Sequence, residues 1–437
     1  MQVGVIGTGH VGLSTCVSLA ALGHQVVGTD SDHEKVAMLK AGTTPFFEPG
    51  LDELLHEETA SGRLLFSSDA HEAIAGAEVV FICVGTPPRV SGEANLKAVE
   101  AAAREVARHA TGQTVIVEKS TVPAGTAQRL RRTLQRERPD FAVNLEVVSN
   151  PEFLREGRAL EDSLNPDRIL IGAEAGWPFE VMRSLYAQLI ADGCPLIETD
   201  IHTAELAKHA CNAFLALKIS FANALARICE RSGADVVFVA EVMGADPRIG
   251  RAFLDAGLGY GGSCFPKDLR AFERLAARLG YSFPLLDEVC RINDEAVDAA
   301  EEKIKDALWN LEDKRIALLG LAFKPGTDDV RAAPALALAR RLLDQGARVV
   351  GYDPQASANA KAEVPELEIA PDPYEATAGS HCLVLCTEWD EFRKLDLVKL
   401  KGQMAYAIVV DGRNLFNPEQ MRVAGFSYYP TGRPPVH

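Results

Sequence analysis

Gln2-Val-Gly-Val-Ile-Gly7-Thr8-Gly9-His10-Val11-Gly12-Leu13 opens the chain with a short apolar strand that runs into three glycines spaced GxGxxG. An apolar helix pattern, Leu13 to Leu22, follows at once. Gly23 ends it, and a second strand, Gln25 to Thr29, closes on Asp30. This is a βαβ unit with its turn chemistry in place. The glycines permit a tight turn and let a pyrophosphate approach the helix N-terminus. Asp30 is placed to hydrogen-bond the ribose hydroxyls of a dinucleotide and to repel a 2′-phosphate, which selects NAD over NADP. Lys35 reaches the same ribose or a phosphate. A tight structural turn without a ligand is the bland alternative.

Outward from this unit, strand-like runs recur at Val79 to Val84, Thr114 to Glu118, Glu146 to Ser149 and Ile169 to Gly172. Helical patterns such as Ala94 to Ala110 separate them, which implies a parallel, doubly wound sheet. From Thr203 the pattern changes. Ala204 to Ser232 is helical without Gly or Pro, then come Ala234 to Met243, a glycine-rich loop, Lys267 to Leu279, and Pro284 to Leu311. A second strand-turn-helix start follows: Arg315 to Gly320, Leu336 to Leu343, then Arg348 to Tyr352 ending at Asp353. QVGVIGTG…LGHQVVGTD…AEVVFICVGTP and KRIALLGLA…QGARVVGYD…HCLVLCTEW thus share one order of elements. The expected fold is α/β, with two Rossmann-like doubly wound domains (1–200 and 301–437) joined by a central helical domain (201–300) that carries one long helix.

The chain has 437 residues, 47% hydrophobic and 24% charged, an ordinary globular composition. Its 45 basic and 61 acidic residues leave a formal charge of −16, which argues against a nucleic-acid or anionic-membrane partner. An anionic ligand must therefore be held by local positive groups. The nine cysteines are scattered and form no CxxC pair, so neither a disulfide framework nor a zinc or other metal site is expected. No signal segment or apolar stretch of about 20 residues is visible, and a cytoplasmic location is expected.

The stretch Gly257-Leu-Gly-Tyr-Gly-Gly-Ser-Cys264-Phe-Pro-Lys-Asp268 delivers a cysteine at the start of a helix. A helix N-terminus and Lys267 both favour the thiolate, so Cys264 reads as a nucleophile, whereas the other eight cysteines read as inert core. Lys208 and Asn212 lie one turn apart on the long helix, a pair of donors suited to a developing oxyanion. Lys119-Ser-Thr121-Val-Pro and Asn150-Pro-Glu152-Phe-Leu-Arg-Glu156-Gly each follow a strand, where a hydroxyl and carboxylates can order a water. The second domain's turn, Gly320 to Arg331, lacks GxGxxG, which argues against a second whole dinucleotide. Its Lys324 and Arg331 suit phosphate recognition.

Taken together, GTGHVGLSTCVSLA, ICVGTP, KSTVPAGT, SNPEFLREG, NPDRILIG, ELAKHACNAFLALKISFAN, GYGGSCFPKDLRA, GLAFKPGTDDVRAAPAL and DGRN resemble, in order, the UDP-glucose/GDP-mannose dehydrogenase family over almost the whole chain. The resemblance implies a four-electron oxidation of the C6 alcohol of a nucleotide sugar to a carboxylate, with two NAD reduced per sugar. UDP-glucose going to UDP-glucuronate is the expected reaction; GDP-mannose, a UDP-N-acetylhexosamine or another nucleoside diphosphate glucose is the alternative substrate. By the same resemblance Cys264 forms a thiohemiacetal and then a thioester, Lys208 and Asn212 stabilise oxyanions, Asp268 and Thr121 hold a water, and Glu152 assists hydrolysis. Val11, Thr86, Thr121, Glu156 and Arg331 join the glycines at the cofactor. Glu152, Phe153, Leu154, Lys208, Asn212, Phe253, Leu254, Tyr260 and Gly261 line the sugar-nucleotide pocket, with Lys324 and Arg413 at its phosphates. Arg248 reaches a neighbouring subunit's site in a homodimer.

Four positions depart from the usual family pattern: His10 and His209 for Tyr, Asn95 for Asp, and Ala333 for Ser. Two other readings compete. A two-electron hydroxyacid dehydrogenase leaves Cys264 and the C-terminal domain unexplained, and a non-catalytic sensor has no use for a nucleophile.

Overall fold

In a computed structural model of the chain, residues 1–87, 89, 94–174 and 176–437 are described. They form two compact units, residues 1–211 with 270–280, and residues 212–269 with 281–437. The first holds strands β1 (Gln2–Ile6), β2 (Gln25–Thr29), β3 (Leu64–Ser67), β4 (Val79–Ile82), β5 (Thr114–Glu118), β6 (Leu145–Ser149), β7 (Ile169–Gly172) and β8 (Leu196–Thr199). They make one eight-stranded sheet in the order β3-β2-β1-β4-β5-β6-β7-β8.

Both faces of this sheet are covered, which is why its central strands are continuous apolar runs instead of alternating ones. Val79 and Phe81 of β4 pack on one face with Leu13, Val17 and Leu39. Val80 and Ile82 turn to the other, against Val99, Val106 and Leu130. The sheet differs from the expected parallel one at a single place, because β6 and β7 meet antiparallel through Ser149 and Gly172. The connection from 150 to 168 contains only the six-residue helix Ala159–Leu164, too short for a crossover, so β7 starts at the edge where β6 ended.

The second unit holds β9 (Arg315–Leu319), β10 (Arg348–Tyr352), β11 (Glu368–Ile369), β12 (Cys382–Leu385), β13 (Ile408–Asp411) and β14 (Ser427–Pro430). All pair parallel, in the order β11-β10-β9-β12-β13-β14. Counted within each unit, both sheets begin third-second-first-fourth-fifth-sixth, so the loose internal similarity is a repeat of the doubly wound topology. In such sheets ligands bind where the order reverses, beyond the carboxyl ends of the first and fourth strands.

The long helix spans Ile201–Ser232, 32 residues. Asp200 caps its start, accepting from the Thr203 amide at 3.0 Å and hydroxyl at 2.6 Å. Among the described residues no helix is long and apolar enough to cross a membrane, and all nine cysteines are free.

Candidate active site

The βα turn after β1 is built around its glycines. Gly7 sits at φ +94°, and a methyl group on Gly12 would stand 1.8 Å from Gly7 O, so neither tolerates a side chain. At Gly9 a methyl group would meet nothing within 4 Å. The outer face of the turn is open. Helix His10–Ala21 begins there with no side-chain cap, leaving its first amides, Val11 included, directed at that space. Asp30 faces the same turn. Its Oδ2 accepts from the Thr8 amide (3.0 Å), the Thr8 hydroxyl (3.0 Å) and Lys35 Nζ (2.9 Å). Burial alone would raise this carboxyl, but the Thr8 amide, Lys35 and the Asp32 amide together hold it below its ordinary value. Lys35 is thus directed onto Asp30. Open turn, uncapped helix and ionised acid fit the diphosphate and ribose of NAD.

Alongside, Thr86 donates to Thr121 O at 3.1 Å and joins the loops after β4 and β5. Glu152, on the loop after β6, lies 3.0 Å from Lys208 Nζ through Oε1, both side chains 5% exposed. Its Oε2 accepts from the Leu154 amide at 2.6 Å. Phe153 lies under this pair, with Lys208 5.4 Å and Arg168 3.8 Å from its ring centre. Glu156 is half-buried farther along the same loop.

In the second unit, Asp268 N donates to Cys264 O at 2.8 Å, so Cys264 caps helix Phe265–Arg278 from outside its first turn. Cys264 is partly exposed, with Ser263 Oγ 3.5 Å from its sulfur. Asn212 Nδ2 donates to Asp268 Oδ2 at 2.7 Å, and Lys267 Nζ lies 2.9 Å from Asp268 Oδ1. Cys264 and Asp268 are therefore joined within one turn of helix, and Asn212 of the long helix is tied to them through Asp268. Burial instead pushes the thiols of Cys83, Cys382 and Cys386 up to about 12.

The glycines around Cys264 face protein. A methyl group on Gly261 would stand 2.3 Å from Ala332 O, and one on Gly257 2.7 Å from Gly412 O. The Gly262 amide donates to Arg331 O at 2.8 Å. The cysteine loop is thus locked onto the 320–332 and 411–414 loops of its own unit. Arg413, aimed by Asp411, donates Nε to Cys386 O at 2.8 Å and lies 3.3 Å from Glu388. Phe253 and Tyr260 lie 6.4 Å and 5.6 Å from the Phe265 ring, with Leu254 buried beside them. Lys324 lies 5.6 Å over Phe323, Arg331 is paired with Asp329, and Arg248 is 87% exposed, paired with Asp246.

The second domain's counterpart of Asp30 is spent internally. Asp353 is 2% exposed and accepts from Leu321 N, Ala322 N, Gln355 N, Ala356 N and Trp389 Nε1. It has no capacity left for a ribose, consistent with one dinucleotide per chain. The departures at 10, 95 and 333 also have local settings. His10 stacks on Phe46 at 3.8 Å, Asn95 caps the Lys97 amide, and Ala333 starts helix Pro334–Asp344 without a side-chain cap.

The sequence reading left out Lys119, Asn150 and Tyr186, which form one network under Glu152. It also left out Glu118 and Glu205, two buried carboxyl groups close enough to shift each other, the second bound to the Gly125 and Ala127 amides. Lys119 and Asn150 stand inside quoted motifs, but only the fold shows that they meet.

The chain's parts match three descriptions of one family. Residues 1–190 match the UDP-glucose/GDP-mannose dehydrogenase family, NAD binding domain, residues 202–295 its central domain, and residues 317–418 its UDP binding domain. A UDP-glucose 6-dehydrogenase of Rhizobium meliloti (strain 1021) is 47% identical over 438 residues, covering 99% of this chain and 100% of that protein. The structure of a UDP-glucose dehydrogenase from Pyrobaculum islandicum superposes with a TM-score of 0.90 at 40% identity, covering 98% of this chain and 96% of that one. A UDP-D-ManNAc dehydrogenase from Pyrococcus horikoshii superposes with a TM-score of 0.86 at 28% identity, over 99% of each chain. With matches along nearly its full length and an open NAD turn, the chain belongs to the UDP-glucose/GDP-mannose dehydrogenase family of NAD-dependent nucleotide-sugar dehydrogenases.

Proposed function

We propose that the chain oxidises UDP-glucose to UDP-glucuronate through a covalent intermediate on Cys264. The observation that carries this reading is Cys264 at a helix start, beside the hydrogen-bonded Asn212 and Asp268. The 47% identity to a UDP-glucose 6-dehydrogenase supports the choice of sugar.

NAD would supply the hydride acceptor for each of the two oxidations, a second NAD replacing the first NADH, and Gly7, Gly9, Val11, Gly12, Asp30 and Lys35 would hold it, together with Thr86, Thr121, Glu156 and Arg331. The chain's own groups do the rest. After the first oxidation the Cys264 thiolate adds to the C6 aldehyde carbon, forming a C–S bond and moving an electron pair onto oxygen. Lys208 and Asn212 stabilise that oxyanion. Loss of hydride from the thiohemiacetal leaves a thioester. Water, held by Asp268 and Thr121 with Glu152 assisting, then breaks the C–S bond and returns the thiolate with a sugar carboxylate. Glu152, Phe153, Leu154, Phe253, Leu254, Tyr260 and Gly261 would shape the sugar pocket, and Lys324 and Arg413 would meet the phosphates.

Functionally this divides the chain into a cofactor domain (1–200), a central helical domain (201–300) and a nucleotide-sugar domain (301–437). A homodimer built on the long helix follows from its exposed apolar row, Phe214 (61%), Phe221 (51%) and Ile228 (62%), one heptad apart, with Phe238 and Val242 nearby. Arg248 would reach into the partner's site. Sedimentation of the intact chain tests this, and a monomer at micromolar concentration would refute it.

The deciding experiment is NADH yield with limiting UDP-glucose and excess NAD. Two NADH per sugar are expected. One per sugar means an aldehyde product and removes Cys264 from the chemistry. No NADH with UDP-glucose, but a full yield with GDP-mannose or a UDP-N-acetylhexosamine, replaces the substrate and keeps the mechanism.

A further inference from the structure

Lys119 follows strand β5 directly and carries its ammonium, half-buried, to Asn150 Oδ1 at 3.0 Å. Among the described residues no carboxylate lies within ion-pairing distance of it, while the nearby Glu152 pairs with Lys208. Asn150 cannot swing away. Its Nδ2 donates to Leu170 O on β7 at 2.8 Å, and its Oδ1 also accepts from Tyr186 OH at 2.7 Å. Lys119, Asn150, Glu152, Phe153 and Tyr186 line one cavity of about 70 Å³.

A partly buried cation answered only by a neutral amide and, at 6.0 Å, the face of the Phe81 ring is unfavourable, and a methionine or glutamine would fill the same space at lower cost. Burial drives the Lys119 ammonium down to about 8; Cys83 and Glu152 favour its charged form, and Lys208 opposes it. The three charged groups therefore sense one another. A single carboxylate, Glu152, stands among two lysines.

We propose that Lys119 is a positioning residue for the oxidation, a cation anchored by Asn150 that holds the Glu152 carboxylate turned toward Lys208. This rests on the reading above, in which Glu152 and Lys208 serve the reacting carbon. Lys119 itself acts at one remove. The antiparallel step between β6 and β7 is what makes it possible, because it brings Leu170 back beside Asn150 and fixes the amide that holds the ammonium.

The test is steady-state turnover of UDP-glucose with NAD by the full chain carrying Lys119→Gln, Lys119→Arg, Glu152→Gln or Lys119→Gln with Glu152→Gln. Lys119→Gln is expected to lower kcat about 10- to 100-fold, as a displaced catalytic group does, with a much smaller change in KM for the sugar. Lys119→Arg keeps the charge and should recover most of kcat. Once Glu152 is Gln, removing Lys119 should lower the residual rate no further, since its effect passes through Glu152. Lys119→Met should melt no lower than the unaltered chain, because an unpaired buried charge is lost.

Equal losses from Lys119→Gln with and without Glu152 would overturn the proposal, as would a Met variant that melts lower and an Arg variant that fails to recover activity. Wild-type turnover in Lys119→Gln, with Glu152→Gln impaired, would overturn this inference alone. Wild-type turnover in Glu152→Gln would overturn the role given to Glu152 itself.

Discussion

Glu152 Oε1 lies 3.0 Å from Lys208 Nζ, on a loop and a helix far apart in sequence, with 5% of either side chain exposed. Removing one partner strands the other charge in the interior. Lys208→Met is therefore expected to destabilise the chain by about 3–5 kcal/mol, as broken buried pairs do, and to abolish turnover. Lys208→Met combined with Glu152→Gln should regain most of the stability and none of the activity. Urea unfolding beside NADH production separates the two effects. A double variant as unstable as the single one would mean that packing, and not charge, sets the loss.

Cys264 differs from the core thiols in setting. It is partly exposed at a helix start, whereas burial holds Cys83, Cys382 and Cys386 as thiols near 12. Iodoacetamide at neutral pH is expected to label Cys264 well before those three, with activity lost in step. Peptide mapping by mass spectrometry reads this directly. Cys264→Ser should abolish formation of the acid, and an undiminished rate of glucuronate formation would remove the nucleophile assignment.

The two glycines Gly9 and Gly12 separate binding from folding. Gly9→Ala places a methyl group in open space on the ligand face, so its melting temperature should stay close to that of the parent while KM for NAD rises about 10-fold or more. Gly12→Ala drives the same group to 1.8 Å from Gly7 O and should destabilise by about 1–3 kcal/mol or more. Calorimetric melting and NAD titration check both. Equal affinity in Gly9→Ala would place the diphosphate elsewhere.

These contrasts also mark how far the sequence could be read. The first βαβ unit is legible because Gly7, Gly9, Gly12 and Asp30 act through local backbone geometry, and the repeat at Gly320 and Asp353 follows the same grammar. The antiparallel entry of β7 is invisible in the pattern, since Ile169 to Gly172 is apolar in either direction. The two-residue strand β11 gives too few residues for a period. The glycines of the Cys264 loop suggest ligand approach, yet Gly257 and Gly261 abut the backbone at Gly412 and Ala332, a reason no linear motif carries. Lys119 and Asn150 are separated by 31 residues and meet only because β5 and β6 are neighbours.

Glu118, at the end of β5, offers a test through pH. Its side chain is enclosed, and burial first, then the charge of Glu205, raise its carboxyl well above the ordinary value. Glu205 in turn accepts from the Gly125 amide at 2.5 Å and the Ala127 amide at 2.9 Å, tying the loop that carries Thr121 to the long helix. Glu118 is thus the protonated member of the pair. Because its folded pKa is raised, its contribution to stability is complete below the ordinary carboxylate range and is lost as pH rises toward the folded value. The loss can reach about 1.4 kcal/mol per pH unit over that interval. Glu118→Gln keeps a neutral side chain of nearly the same shape at every pH. Its melting temperature should match that of the parent near pH 5 and exceed it by several degrees near pH 8, at about 2–4 °C per kcal/mol. Thermal unfolding across that range checks the sign, and parallel curves for the two proteins would mean that Glu118 carries its charge in the folded chain.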